Sequence, residues 1–179
     1  MNLKFLTASA AAVLALCAAA PASAITYTFA ANLTGAAEGT ASTAFGTALV
    51  TFDDSAFTVA VTELWAGLSG PATGNHIHCC TATAGTGTSA VYVPFSAVPA
   101  VATGLYSNTF TLSSSSFATL LAGTQAGKAY VNLHTALYPG GEIRGFLIST
   151  SPVPEPATYG LMLGGLGVFG LMARRRRVA

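Results

Sequence analysis

Short runs in which apolar residues alternate with threonine, serine or alanine place the strongest constraint on the fold. One run covers residues 25–33 and another covers residues 57–62, and a period of two is typical of strands with one buried face. Further strands are expected at Ala44–Phe52, Asn75–Cys80, Ala90–Phe95, Tyr106–Leu112, Lys128–His134 and Glu142–Ile148. Glycine and proline separate these segments, which predicts an all-β sandwich or barrel of about eight short strands.

One segment has a helical pattern instead. Phe117, Leu120 and Leu121 follow the spacing i, i+3, i+4, and the serines of Ser113–Ser116 offer N-cap oxygens. Gly123 is a plausible stop, so we expect one short helix of about two turns over one end of the sandwich. The stretch Thr81–Ser89 is rich in threonine, glycine and alanine and is expected to be a flexible loop.

The charges are few and lie mostly at the ends of the chain. Apolar residues make up 52% of the sequence and charged residues only 7%, with a formal net charge of +1. Residues 25–150 are mildly acidic, because Lys128 and Arg144 are their only cations. This composition excludes a nucleic-acid binder, which needs a basic face, and a disordered acidic tail.

Residues 1–24 have the three parts of a secretory signal peptide. Lys4 supplies the positive charge, Phe5–Ala20 is the apolar core, and small residues precede Ala24 at the predicted cleavage site. Signal peptidase would cleave after Ala24. The body of the protein is then residues 25–150, which is long enough for one hydrophobic core.

Residues 151–179 form a second signal. A proline-rich stretch that cannot continue a strand or helix is followed by the apolar run Tyr159–Ala173 and then by four arginines. The apolar run would make a short transmembrane helix, and the positive-inside rule would keep the arginines in the cytoplasm. The body would then face the opposite side of the membrane, in agreement with the signal peptide.

This tripartite end resembles a PEP-CTERM sorting signal. The residues that carry the resemblance are Val153, Pro154, Glu155 and Pro156, the apolar helix, and Arg174, Arg175, Arg176 and Arg177. The resemblance implies an exported protein of a Gram-negative bacterium that makes exopolysaccharide. It also implies an intermediate anchored in the inner membrane, cleavage near the Pro-Glu-Pro motif by an exosortase, and a final place at the cell surface or in the extracellular matrix.

Residues 25–150 carry a second resemblance, to the CHRD (chordin-type) domain. It rests on the following segments: Ala31–Ala36, Gly67–Ala72 running into His76–His78, and Ala129–Thr135 running into Tyr138–Gly145. The resemblance implies an immunoglobulin-like Greek-key β domain. It implies no particular biochemical activity.

All three histidines of the chain fall within these segments. His76 and His78 lie two apart in a predicted strand, so they share a face with Cα atoms roughly 6.5 Å apart. With His134 as a third ligand and Glu142 as a fourth ligand or an acceptor that orients a ring, they could bind one copper or zinc ion. The alternative is that the histidines only pack and make hydrogen bonds.

Two cysteines, Cys79 and Cys80, follow the histidine pair directly. An exported protein can form disulfides, but adjacent Cα atoms lie closer together than most disulfides prefer. A vicinal or an intermolecular disulfide is the first expectation, and metal ligation or free thiols are the alternatives. Elsewhere, Glu142 and Arg144 are expected to form a local ion pair, and Trp65 is expected in the core unless it is exposed for carbohydrate stacking.

We therefore expect a non-enzymatic binding or structural β-sandwich protein of the cell surface or exopolysaccharide matrix. A matrix polysaccharide is a possible partner. No Gly-x-Ser-x-Gly elbow, phosphate-binding loop or dinucleotide fingerprint is readable in the sequence. The alternative is a metal-binding domain that uses His76, His78 and His134, with or without redox activity.

Overall fold

The computed structural model describes residues 25–150 and 165–166. Within these residues lie nine strands and two helices of four residues or more. The strands are β1 (Thr26–Thr34), β2 (Phe45–Asp53), β3 (Thr58–Ala66), β4 (Ala72–His78), β5 (Val91–Pro94), β6 (Gly104–Thr111), β7 (Tyr130–Thr135), β8 (Ile143–Phe146) and β9 (Ile148–Ser149). The helices are α1 (Gly35–Glu38) and α2 (Ser114–Gln125).

The alternating runs form strands because each can bury one face. In β1 the side chains of Phe29, Ala31 and Leu33 are buried, and the residues between them are partly or fully exposed. Strands β2 and β3 continue this pattern and pair in register from Phe45 opposite Ala66 to Asp53 opposite Thr58. The prediction of an all-β fold is confirmed.

All nine strands belong to one curled antiparallel sheet, in the order β5-β4-β7-β8-β1-β2-β3-β6, with β9 beside β1. Curling brings the two outer strands close together. Phe95, just after β5, stacks on Tyr106 and Phe110 of β6 with ring centroids 5.2 and 5.3 Å apart. The two halves of the sheet therefore face each other across one core, which contains Trp65 and most of the large apolar side chains.

Helix α2 is longer than predicted. Ser113 caps it, accepting a hydrogen bond from the backbone N–H of Ser116 at 3.2 Å, as the sequence indicated. The helix then runs for twelve residues, about three turns, and Gly123 lies inside it instead of ending it. This glycine is needed for packing, because a Cβ atom there would collide with the sulfur atoms of Cys79 and Cys80.

Two expected strands need correction, and one helix was not expected. The predicted strand Glu142–Ile148 is divided into β8 and β9 by a break at Leu147, although the N–H of Leu147 bonds the carbonyl of Ala129 in the same register as the β7–β8 pairs. Strand β4 ends at His78, so the two cysteines lie beyond it. Helix α1 was not expected, although Thr34 caps it by accepting a hydrogen bond from the N–H of Ala37.

The predicted signal peptide, including Ala24, and the motif and arginine cluster of the C-terminal signal lie outside the described residues. Among the residues that the structure describes, no helix is long and apolar enough to cross a membrane.

Candidate functional site

The three histidines lie on the outer face of the sheet, where β4, β7 and β8 are neighbours. Antiparallel pairing places residues in rows across these strands. His78 is opposite Tyr130, His76 is opposite Asn132, and His134 is opposite Gly74. The other face of β4 points inward, with Asn75 and Ile77 buried. The pairing of β4 with β7 therefore brings His134 to the two histidines of β4.

The imidazole rings are close enough to share a ligand. Nδ1 of His76 lies 3.2 Å from Nε2 of His134, and the centroids of these two rings are 4.9 Å apart. The rings of His76 and His78 have centroids 5.6 Å apart. One ring nitrogen from each of the three histidines lies within 4.8 Å of the other two.

Backbone carbonyls set the orientation of two of the rings. Nδ1 of His78 donates to the carbonyl oxygen of Ser89 at 2.9 Å, and Nδ1 of His134 donates to that of Pro139 at 3.0 Å. A carbonyl can only accept, so Nδ1 carries the proton in both rings and Nε2 keeps its lone pair when the ring is neutral. Nε2 of His78 is buried and has no hydrogen-bond partner.

The surroundings favour the uncharged form of all three rings. Burial, followed by the neighbouring His134 and His78, lowers the pKa of His76 from 6.5 to about 4. Burial also lowers the pKa of His78 and of His134, although the bonds to the Ser89 and Pro139 carbonyls act in the opposite direction. At neutral pH the cluster therefore consists of neutral imidazoles with nitrogen lone pairs available.

Aromatic and cationic side chains border the cluster. The ring of His78 stacks on that of Tyr130, with centroids 4.7 Å apart and planes within 2° of parallel. The guanidinium of Arg144 lies 5.1 Å from the centroid of the same tyrosine ring. Arg144 forms an ion pair with Glu38 at 3.2 Å, so the expected pair with Glu142 is wrong.

Glu142 lies apart from the histidines. Its buried carboxylate accepts hydrogen bonds from the hydroxyls of Ser42, Ser69 and Thr135 and from the N–H of Ser69, at 2.6–2.8 Å. Burial would raise the pKa of Glu142, but these bonds together outweigh burial and hold the pKa below its ordinary value. The expectation that Glu142 is a metal ligand or orients a histidine ring is wrong in this structure, because its oxygens serve these other donors.

Cys79 and Cys80 are joined to each other by a vicinal disulfide at the end of β4. The disulfide packs against Gly123 of α2. The segment that follows it, expected to be a flexible loop, returns across the histidine face, where Ser89 bonds both His78 and the hydroxyl of Tyr130. Gly87 accepts a further hydrogen bond from Arg144 at 3.1 Å.

Sequence reasoning missed Tyr130 and Asn132 as part of this face. Both alternate with His134 along β7, so the period of two could have found them. Asn132 lies between His76 and Arg144 in its row and donates to the carbonyl of Gly140 at 3.3 Å. The neighbouring Gly141 has a φ of +130°, and a Cβ atom there would collide with the Asn132 amide, so this turn requires glycine.

Comparison with known families agrees with this architecture. The sequence profile of the CHRD domain matches residues 29–147, which include the histidine face and the whole core of the sheet. The profile of the PEP-CTERM protein-sorting motif matches residues 152–177. No curated protein and no solved structure matches the chain.

The chain therefore belongs to the CHRD domain family, and both resemblances are confirmed. It is an exported protein that is sorted and processed at the membrane, since a PEP-CTERM motif is the signal that an exosortase recognises.

Proposed function

We propose that this protein is a non-enzymatic binding or structural module of the bacterial cell surface or exopolysaccharide matrix. The observation that carries the proposal is the direct succession of the two matched regions. The CHRD domain ends at residue 147 and the sorting motif begins at residue 152. The β domain is thus the part that the sorting signal delivers, and its outer surface is what meets the matrix.

A broad uncharged surface supports a binding role. Strands β1, β2, β3 and β6 are paired side by side, so residues opposite one another form rows across the sheet. In the rows that run from Thr28 to Thr34 of β1, every outward side chain belongs to threonine, serine, alanine, asparagine, leucine or phenylalanine. Five large apolar residues are exposed there and on the adjoining β9, and we call them the outer patch: Phe45, Leu49, Leu64, Leu105 and Ile148. Exposed apolar patches of this kind mark interaction sites.

A neutral polysaccharide fits this surface. Sugar rings present apolar C–H faces and hydroxyl edges, and the outer patch sets apolar side chains beside threonine and serine hydroxyls. Leu64 and Leu105, which are opposite each other, are 54% and 55% exposed. We infer that matrix polysaccharide lies across β2, β3 and β6 at these two leucines.

Binding can be tested by co-sedimentation of the purified full chain with the matrix polysaccharide of the host. Leu64→Ser combined with Leu105→Ser should weaken binding at least tenfold and leave the fold intact, since both side chains are exposed. Leu137→Ser is the matched control, because Leu137 is 68% exposed and lies in the turn after β7. Equal binding by all three proteins would reject the outer patch as the site.

The broader role is tested in the host. Deletion of the gene should change flocculation, biofilm or surface properties, and the wild-type gene should restore them. A deletion strain with unchanged surface, floc and biofilm properties would contradict a structural role in the matrix.

The proposed maturation has two cleavages. Signal peptidase would cut after Ala24, leaving the Ile25 nitrogen as a charged amine 2.9 Å from the Asp54 carboxylate. An exosortase would cut near Glu155, releasing the domain from an inner-membrane intermediate whose arginines face the cytoplasm. Mass spectrometry of the mature protein should find Ile25 at its start, and Glu155→Ala should keep the protein in the inner membrane. An unprocessed wild-type protein would contradict this maturation.

A further inference from the structure

We propose that His76, His78 and His134 bind one Zn²⁺ or Cu²⁺ ion on the outer face of β4 and β7, each through one ring nitrogen. This inference goes beyond the proposed matrix role and does not depend on it. Its basis is the distance between ring nitrogens, the orientation of two rings by carbonyls, and a buried nitrogen without a partner.

The distance between the first two nitrogens already matches a shared ion. Zinc–nitrogen bonds of about 2.0–2.1 Å at a tetrahedral angle place two ligand nitrogens about 3.3 Å apart. Nδ1 of His76 and Nε2 of His134 are 3.2 Å apart. A hydrogen bond between the two rings would have a similar length. The orientation of the rings and the unpartnered nitrogen of His78 therefore distinguish a metal site from a hydrogen-bonded pair.

The orientation of the rings favours a metal. In metal sites, a ligating histidine almost always donates its other ring N–H to a carbonyl, carboxylate or water, which fixes the tautomer and the direction of the lone pair. His78 and His134 each donate Nδ1–H to a backbone carbonyl in this way. In both rings Nε2 is therefore the nitrogen that keeps its lone pair.

The third observation is the unpartnered Nε2 of His78. The residue is only 8% exposed, and this nitrogen is buried without a hydrogen bond. A buried polar atom without a hydrogen-bond partner destabilises the folded state, because nothing replaces the water that it has lost. A metal ion bound between the three rings would supply the missing partner.

Binding requires a small movement of one ring. The ligand atoms lie within 4.8 Å of one another, whereas two nitrogens on one ion can be at most about 4.2 Å apart. His76 is the ring free to move, because it is half-buried and its ring hydrogen bond is to His134 alone. Gly74 leaves space beside it, since a Cβ atom there would lie 3.4 Å from Cε1 of His76.

The ligand set indicates the kind of ion. Neutral imidazoles suit Zn²⁺ and Cu²⁺, and an absence of carboxylate ligands disfavours Mg²⁺ and Ca²⁺. Within the described residues, the only group of three or more candidate ligands contains these histidines alone. Three protein ligands leave a fourth position for water or another small ligand, which is the arrangement of an open site.

The test is calorimetric titration of the metal-stripped full chain with Zn²⁺ and, separately, Cu²⁺. We expect one ion per chain for at least one of the two metals. His76→Ala and His134→Ala should each weaken binding by at least about 100-fold. Thr73→Ala, an exposed position on the same strand, is the matched control and should bind as the wild type does. Thermal melts establish that each variant is folded.

A second measurement needs no variant. The chain has three histidines, so every imidazole ¹⁵N signal of the wild type reports on the proposed site. Stoichiometric Zn²⁺ should shift the Nε2 signals of His78 and His134 and leave their Nδ1–H signals protonated. Unshifted imidazole signals at a Zn²⁺ concentration that calorimetry shows to be bound, no binding below about 1 mM of both metals, or undiminished binding by folded histidine variants would each overturn the proposal.

Discussion

Replacement of Glu63 with glutamine should stabilise the protein at neutral and alkaline pH. The Glu63 side chain is fully buried on the inner face of β3 and accepts one hydrogen bond, from Nδ2 of Asn75 at 2.7 Å. Oε1 of Glu63 and Oδ1 of Asn75 are both buried without a partner. A protonated carboxyl, or the amide of glutamine, can donate to Asn75 Oδ1, whereas a carboxylate cannot.

The magnitude follows from the pKa of this carboxyl. Burial raises the pKa of Glu63 from 4.5 to about 7, and the Asn75 bond only partly opposes the effect. Between these two values the folded protein holds a proton that the unfolded chain has lost, so stability falls as the pH rises. Each pH unit corresponds to about 1.36 kcal/mol, so a rise from pH 4.5 to about pH 7 lowers the free energy of unfolding by about 3 kcal/mol. This contribution is present below pH 4.5 and is gone above about pH 7.

Urea unfolding of the wild type and of Glu63→Gln at several values between pH 4.5 and 8.5 measures this effect. The free energies of unfolding of the two proteins should differ little at pH 4.5. Above pH 7 the free energy of unfolding of the variant should be higher by about 3 kcal/mol. Taking the difference removes the contribution of the histidines, whose lowered pKa values give the opposite slope below pH 6.5. A difference that does not change with pH would refute the reasoning, because Glu63 would then titrate equally in both states.

Two further substitutions test the packing and the other buried carboxylate. Gly123→Ala should lower the free energy of unfolding by about 1–3 kcal/mol, because its methyl group would collide with both sulfurs of the disulfide. Thr119→Ala, at an exposed position of α2, should change it by less than about 0.5 kcal/mol, and equal losses for both would contradict the packing argument. Glu142→Gln should cost about 2–4 kcal/mol at neutral pH in the same urea assay, because an amide cannot accept all four hydrogen bonds. The low pKa of Glu142 means that this loss should shrink as the pH falls below 4.5, and a loss that stays constant down to pH 3 would contradict it.

Much of the fold could be predicted from the sequence because strand patterning is local. A strand with one buried face requires apolar residues at every second position, and residues 25–33 and 57–62 meet this condition without reference to other strands. The same period placed His76 and His78 on one face. The period of two does not mark where a strand ends, so the predicted strand Asn75–Cys80 included two cysteines that lie beyond the end of β4 at His78.

The buried polar pairs could not be predicted in this way. Glu63 interrupts an apolar run at an inward position, and its partner Asn75 lies in a different strand. Glu142 and Arg144 are neighbours in sequence, yet one is held by hydroxyls from three separate segments and the other reaches Glu38. Such partners depend on which strands are neighbours, and the alternating pattern does not contain that information.

The class of fold and the export and sorting of the protein can be read from the sequence alone, because alternation and signal motifs are properties of continuous segments. The composition of the histidine face depends instead on how the strands pair. The pairing of β4 with β7 sets His134 opposite Gly74, and loop carbonyls at Ser89 and Pro139 orient the rings. Strand order and register result from how the whole sheet curls around its core, so segments far apart in sequence meet only when that core forms.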